Sequence, residues 1–302
     1  MMKIIFFGAG YCVKYIIPLL PKNTEIICTH NKAIKPESFD SELNIKRLSF
    51  SEILSNKNNF LKNTTHILNS IPPKESGDII IENFKENLLT INKTLIWYGY
   101  FSSTSVYGDH SGNWVDEQSS LKPKTNRGKL RLISESQHIE LYKKYEVPIH
   151  IFRLPGIYGP GRSVFEKFAK GSILKINKKG HYFSRVFVED IADAIIQSTK
   201  MQTPGEVFNL TDDLPTESAK IVSYAAKLCG IDNIKTINFD EQEIDKKVKS
   251  FYKDNKRVNN YKIKKILNWT PKFRNYKLGL QHLFELQENE KNFTNSSLSK
   301  KN

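Results

Sequence analysis

Two groups of residues in this 302-residue chain have types and spacings suited to holding anions. The first is Gly8-Ala9-Gly10, set between the apolar run Ile4–Phe7 and a helical segment opening with Tyr11 and Cys12. A strand, a Gly-x-Gly turn and a helix seat a dinucleotide pyrophosphate. The first glycine makes the tight turn, the second lets phosphate approach the backbone, and the helix start supplies N–H donors. The third glycine of that fingerprint is Val13 here, and the same turn also serves as a plain strand-to-helix connection. An acid after the second strand would accept hydrogen bonds from the adenosine ribose of NAD. The stretch Cys28-Thr29-His30-Asn31-Lys32 has none. Lys32, with Thr29 and His30, therefore either faces a 2′-phosphate or is one more solvated lysine, and the expectation leans to NADP(H) over NAD(H).

The second group is a cluster of arginines. The chain has 46 basic residues against 32 acidic ones, a net charge of +14. Thirty-eight of the basic residues are lysine and eight arginine, and five of the arginines (127, 131, 153, 162 and 185) fall within residues 127–185. In a lysine-rich chain this points to positions that need a planar, bidentate donor. Arg127 and Arg131 are spaced i,i+4, so on a helix their like charges repel unless an anion sits between them. The alternative is that Arg131 pairs with Glu135 on the surface.

These residues must be positioned by a scaffold, and the pattern along the chain supplies one. Apolar strands are expected at Met1–Phe7, Glu25–Thr29, Ile45–Leu48, Thr65–Asn69, Thr94–Ser102 and Pro148–Arg153. Helices alternate with them: one to Leu20, one after Ser51 as N-cap, one near Ile79–Ile91, and one at Asn126–Tyr145 with Leu130, Ile133, Gln137 and Leu141 along one side. This alternation predicts an α/β fold with a Rossmann-type doubly wound parallel sheet. From Pro155 the texture becomes turn-rich and then helical, which marks a smaller, mostly helical C-terminal substrate lobe. Residues 1–154 with 186–212 are assigned to the dinucleotide-binding domain, 155–185 with 213–290 to the lobe, and 291–302 to a frayed, disordered tail.

Several function classes are excluded. No run of five basic residues and no zinc-finger, basic-zipper or RNA-recognition pattern occurs, so no nucleic-acid partner is expected. Cys12, Cys28 and Cys229 are far apart, which argues against a disulfide framework or a metal site and for a reducing cytoplasm. No apolar run approaches the ~20 residues of a membrane span.

Phe101-Ser102-Ser103-Thr104-Ser105-Val106-Tyr107-Gly108, together with the Gly-x-Gly turn, resembles the extended short-chain dehydrogenases/reductases of the NAD-dependent epimerase/dehydratase type. Arg153-Leu154-Pro155-Gly156-Ile157-Tyr158-Gly159-Pro160-Gly161, Phe187–Ala192 and Val207–Asp213 agree with it. Ser70-Ile71-Pro72-Pro73 and Asn113–Glu117 are most similar to its atypical YeeZ-like subgroup. The resemblance spans about residues 3–285. It implies a nicotinamide cofactor contacted at Gly8, Gly10, Tyr11, Cys12, Thr29, His30, Asn31, Lys32, Ser70, Ile71, Pro72 and Pro155. It also implies an anionic small-molecule substrate, such as a sugar nucleotide, contacted at Thr104, Tyr107, Tyr158, Arg162 and Arg185.

In that family a Ser or Thr polarises the substrate oxygen, a Tyr is the acid/base and a Lys four residues on lowers its pKa. Ser103 stands at the serine position and is assigned catalysis, or caps the strand end. Where Tyr and Lys belong, at the start of the Asn126 helix, stand Arg127 and Arg131. Arginine keeps its proton near neutral pH, so these two are assigned to charge stabilisation instead. Tyr107, His110, Asp116, Glu117 and Tyr158 are the other acid/base candidates, and Asp190 is expected to cap the helix at Ile191. The resemblance also implies a homodimer through helices Ile79–Ile91 and Asn126–Tyr145.

Overall fold

The computed structural model describes residues 1–31, 43, 45–171, 173–201, 203–240 and 244–299. Seven strands form one all-parallel sheet: β1 Lys3–Phe7, β2 Glu25–His30, β3 Ile45–Ser49, β4 His66–Asn69, β5 Trp97–Ser103, β6 Ile149–Leu154 and β7 Glu206–Asn209. Their order is β3-β2-β1-β4-β5-β6-β7. The chain builds outward from β1 to β3, then returns to lay β4 on the other side of β1. That reversal opens a crevice at the carboxyl ends of β1 and β4, where doubly wound sheets bind ligands.

Burial on both faces explains the unbroken apolar strands. Ile4, Ile5, Phe6 and Phe7 are all fully buried. Ile4 and Phe6 face the layer containing helices α1 (Tyr11–Ile16) and α4 (Val188–Thr199). Ile5 and Phe7 face the layer of α2 (Ile79–Thr90). Helix α3 (Asn126–Tyr145) lies beside α2. In the C-terminal region, α5 (Ser218–Leu228) and α6 (Tyr276–Ser299) pack together. Gly156–Tyr158 and Arg185–Phe187 form a separate two-stranded parallel pair, and β7 joins the main sheet beside β6. No helix among the described residues is long and apolar enough to cross a membrane.

The structure corrects several expectations. The helix after β3 is capped by Ser49, not Ser51, because Ser49 and Glu52 close a reciprocal capping box. Asp190 does not cap α4, which starts two residues earlier. Its carboxylate instead accepts from the backbone N–H groups of Lys272 and Phe273, at 2.6 and 3.1 Å. On α3, Ile133 is exposed. The buried residues are Gly128, Ser134, Glu135, His138 and Leu141, a mostly polar set in place of an apolar stripe.

Acid should destabilise this fold. His66, His150 and His181 are buried, and desolvation lowers each pKa from 6.5 to about 4. Between those values each of these imidazoles binds more protons in the unfolded chain, so their contribution is full above pH 6.5 and falls towards pH 4, opposed in part by Asp190, which burial raises to about 6. Thermal melts from pH 7.5 to 4 should show a progressive drop in Tm. In an Asp190→Asn background, which removes that opposing carboxylate, a flat profile through that window would contradict the burial of neutral imidazoles.

Candidate functional site

The turn after β1 is held from both sides of the crevice. Gly8 has φ +80°, and a Cβ there would lie 2.9 Å from Ile71 Cγ1, so no side chain is tolerated. Its N–H donates to Thr29 Oγ1 at 3.1 Å, and Ala9 N–H donates to Thr29 O at 3.0 Å. Thr29 is 1% exposed, so its side chain shapes the turn. Across the crevice the Ser70 hydroxyl donates to Gly8 O at 2.5 Å. Gly10 differs from Gly8. Its φ is −98° and a Cβ would meet only Gly8 O at 3.8 Å, so nothing in the fold itself requires glycine there. What its missing side chain keeps open is the crevice.

That crevice is a groove of about 1190 Å³ lined by Gly8–Val13, Thr29–Asn31, Ser70–Lys74, Ser103, Arg127, Arg131, Pro155 and Arg162. The sequence assignments of Gly8, Gly10, Tyr11, Cys12, Thr29, His30, Asn31, Ser70, Ile71, Pro72 and Pro155 thus converge on one place. Lys32 lies outside the described residues. Sequence reading missed Arg47 on β3, whose guanidinium nitrogen lies 3.3 Å from His30 Nε2. The signal was its being one of only eight arginines, but it lay outside the cluster that drew notice. The Cys12 thiol is pushed up to about 11 by burial, which removes it as a nucleophile. The Tyr11 hydroxyl donates to Pro160 O at 3.0 Å and its ring lies under Arg162, 5.4 Å away.

Midway along the groove, β5 ends at Ser103. Its Oγ accepts from Ser105 N–H at 3.2 Å, so it caps the turn while facing the groove. Helix α3 starts against this turn because Gly128 admits Ser105 O, which would stand 2.7 Å from a Cβ. Its first two turns bring Arg127 and Arg131 to the groove. Arg131 NH1 donates to Tyr100 Oη at 3.0 Å and to Phe101 O at 2.5 Å. Arg127 is exposed and lies over the Phe251 ring at 5.6 Å. The surface pair Arg131–Glu135 does not form. Glu135 is 1% exposed and grips Arg153 instead, with Nε–Oε1 at 3.1 Å and NH2–Oε2 at 2.7 Å, while Ser102 Oγ donates to the same carboxylate.

Arg153 is thereby structural. It also donates to Tyr107 Oη at 2.9 Å, and the Tyr107 hydroxyl donates to Asn209 Oδ1 at 2.7 Å. Tyr107 is fully buried, with burial pushing its pKa up to about 12, and Thr104 is 9% exposed. Neither lines the groove, so the structure does not bring these two to the site. His110, Asp116 and Glu117 also lie off it. Glu117 accepts from Asn209 N–H at 2.7 Å.

A second cavity of about 400 Å³ shares Ile157 and Arg162 with the lining of the groove, and Tyr158 and Arg185 line its wall. Arg185 NH1 donates to the carbonyls of Phe183 and Thr216, and burial lowers its pKa to about 10, so it stays charged at neutral pH. The Tyr158 hydroxyl is buried with no hydrogen-bond partner among the described residues, and burial pushes its pKa up.

No family model matches the chain, and no curated protein does. Among solved structures, a functionally unknown conserved protein from Silicibacter pomeroyi DSS is 35% identical, covering 94% of this chain and 98% of its own, with a TM-score of 0.84. The chain belongs to the same family as that protein. It also has the fold of the NAD-dependent sugar-nucleotide epimerases and dehydratases. The dTDP-glucose 4,6-dehydratase from Bacillus anthracis str. Ames, solved with NAD, is 18% identical, with a TM-score of 0.73 over 96% of this chain and 97% of that one. The UDP-glucuronic acid 4-epimerase from Bacillus cereus, also solved with NAD, is 16% identical, with a TM-score of 0.72 over 94% and 96%.

Replacing Glu135 by Ala leaves a buried guanidinium without its counter-charge. The expected loss is about 3–5 kcal/mol of unfolding free energy in urea titration. A loss under about 1 kcal/mol, the scale of an exposed pair, would show that this ion pair does not anchor α3 to β6.

Proposed function

We propose that this protein binds a nicotinamide dinucleotide in the groove and an anionic small molecule, such as a sugar nucleotide, in the adjoining cavity. The reaction is of the epimerase/dehydratase or oxidoreductase type. The observation that carries this reading is that Arg162 and Ile157 line both cavities, with Ser103, Arg127 and Arg131 along the groove. The open face of Gly10 fits a pyrophosphate. Thr29–Asn31 and Ser70–Pro72 would hold the adenosine end, and Pro155 and Ser103 the nicotinamide end. When bound, the nicotinamide supplies hydride chemistry. The lack of an acid at the end of β2, and Arg47 beside His30, favour NADP(H) over NAD(H).

On this reading the chain is an atypical extended short-chain dehydrogenase/reductase of the YeeZ-like kind, working in the cytoplasm without the Tyr–Lys pair. Ser103 polarises the reacting oxygen. Arg127 and Arg131 stabilise developing negative charge, and water or another group carries the proton that no arginine can release. Arg162 and Arg185 take the substrate's anionic group. A homodimer would pair the outer faces of α2 and α3. The alternative is a non-catalytic dinucleotide-binding sensor or scaffold, favoured by arginine at both positions where the family keeps its proton-transfer pair.

Titration of the purified protein with NADH and NADPH tests the reading. Binding of at least one is expected, and Gly10→Val should weaken it at least about tenfold without lowering Tm. No binding of either at millimolar concentration would overturn it. With binding intact, turnover on a sugar-nucleotide panel that falls in Ser103→Ala supports the enzyme, whereas no turnover on any member supports the sensor.

A further inference from the structure

Tyr11 opens helix α1 and lines the groove, yet its hydroxyl is committed elsewhere. Oη donates to the carbonyl of Pro160 at 3.0 Å, 149 residues along the chain. Pro160 belongs to a turn closed on itself. Gly159 N–H donates to Arg162 O at 3.2 Å, and Arg162 N–H donates to Gly159 O at 3.0 Å. Gly161, Arg162, Ser163 and Val164 line the second cavity, and Arg162 lines the groove as well.

The turn rests closely on the phenol. A Cβ at residue 159 would stand 2.6 Å from Tyr11 Oη and 2.6 Å from Val188 Cγ1, so the approach requires glycine there. The Tyr11 ring carries the Arg162 guanidinium 5.4 Å from its centroid. The Tyr15 ring, one turn further along α1, buttresses it edge-on at 5.4 Å. Burial raises the Tyr11 pKa, so the hydroxyl keeps the proton it donates. The tip of the turn is open by contrast. Gly161 has φ +70° and nothing within 4 Å of where a Cβ would lie, and Arg162 is exposed.

A ligand in the groove would confine the Tyr11 side chain. A confined Tyr11 in turn confines the turn, through one hydrogen bond and one ring face. The ordering cost of Arg162 is then met when the groove fills, and an anion entering the second cavity no longer bears it.

We infer that Tyr11 is a positioning residue through which an occupant of the groove orders the Arg162 turn beside the second cavity, so that the two cavities fill cooperatively. By linkage the effect is reciprocal. The inference rests on the functional reading for which ligands enter the two cavities, and not for the tie between Tyr11 and the turn.

The test is amide hydrogen exchange of the full chain, read by NMR at Gly159 and Arg162, whose N–H groups close the turn. Tyr11→Phe keeps the ring and removes the hydroxyl. Without ligand it should speed exchange at both amides roughly two- to tenfold, the range set by one net hydrogen bond. Saturating NADPH, with binding confirmed by calorimetry, should slow both amides in wild type and leave them unchanged in Tyr11→Phe. NADPH should also tighten UDP binding at least about fivefold in wild type and not in Tyr11→Phe.

Protection by NADPH that persists in Tyr11→Phe would mean that the dinucleotide reaches the turn directly, and would overturn the inference. So would ligand-free exchange that the substitution leaves unchanged, or an equal gain in UDP affinity in both proteins. Failure to bind NADPH or UDP would overturn the functional reading, while the ligand-free exchange still decides the tie. If Tyr11→Phe does not fold, Tyr11→Leu carries the same measurements, and unchanged exchange there overturns the inference.

Discussion

Glu135 and Arg153 form the interaction on which the middle of this molecule depends. Two opposite charges lie almost fully out of water, joined by two short nitrogen–oxygen contacts and completed by Ser102 and Tyr107. Each charge without the other would be prohibitive to bury. The pair therefore fixes α3 against β6, and with it the turn that ends β5. Everything placed on the groove from that side, including Ser103, Arg127 and Arg131, inherits its position from this contact. The other side of the groove depends on a lighter device: the positive φ of Gly8, pinned by Thr29 and Ser70.

The arginines divide by what neutralises them. Arg153 is balanced by Glu135 and belongs to the frame. Arg131 and Arg185 are held by uncharged oxygens, and Arg127 and Arg162 lie over the aromatic rings of Phe251 and Tyr11. None of these four forms an ion pair among the described residues, though Asp212 acts on Arg185 electrostatically. A chain with a net charge of +14 could have spread it as a general field. Instead four planar donors line two cavities that share Ile157 and Arg162, an arrangement that suits a small anion.

Much of this was legible in the sequence because it rested on local rules. Unbroken apolar runs such as Ile4–Phe7 announce strands buried on both faces, and Gly8-Ala9-Gly10 announces the turn. Helix α3 was bounded correctly at Asn126 and Tyr145, yet the residues named for one of its sides did not predict the buried face. Its buried face is polar because its partners are Tyr100, Asp78 and Arg153, which come from distant parts of the chain, and no periodicity reports a distant partner. The same reason hid the fate of Glu135. Four residues from Arg131, it looked like a surface pair until the fold supplied Arg153. Asp190 and Tyr107 were likewise drawn away by tertiary contacts, to the backbone at Lys272 and to Asn209.

The central proposal is that the groove between the Gly8–Gly10 turn and Ser103 holds a nicotinamide dinucleotide. A crystal structure of the protein soaked with NADPH tests it most directly. The account predicts the pyrophosphate on the Gly8–Gly10 turn, the nicotinamide end beside Ser103, and Arg131 still bonded to Tyr100 and Phe101. A groove left empty at saturating NADPH, or a dinucleotide bound elsewhere on the molecule, would contradict it.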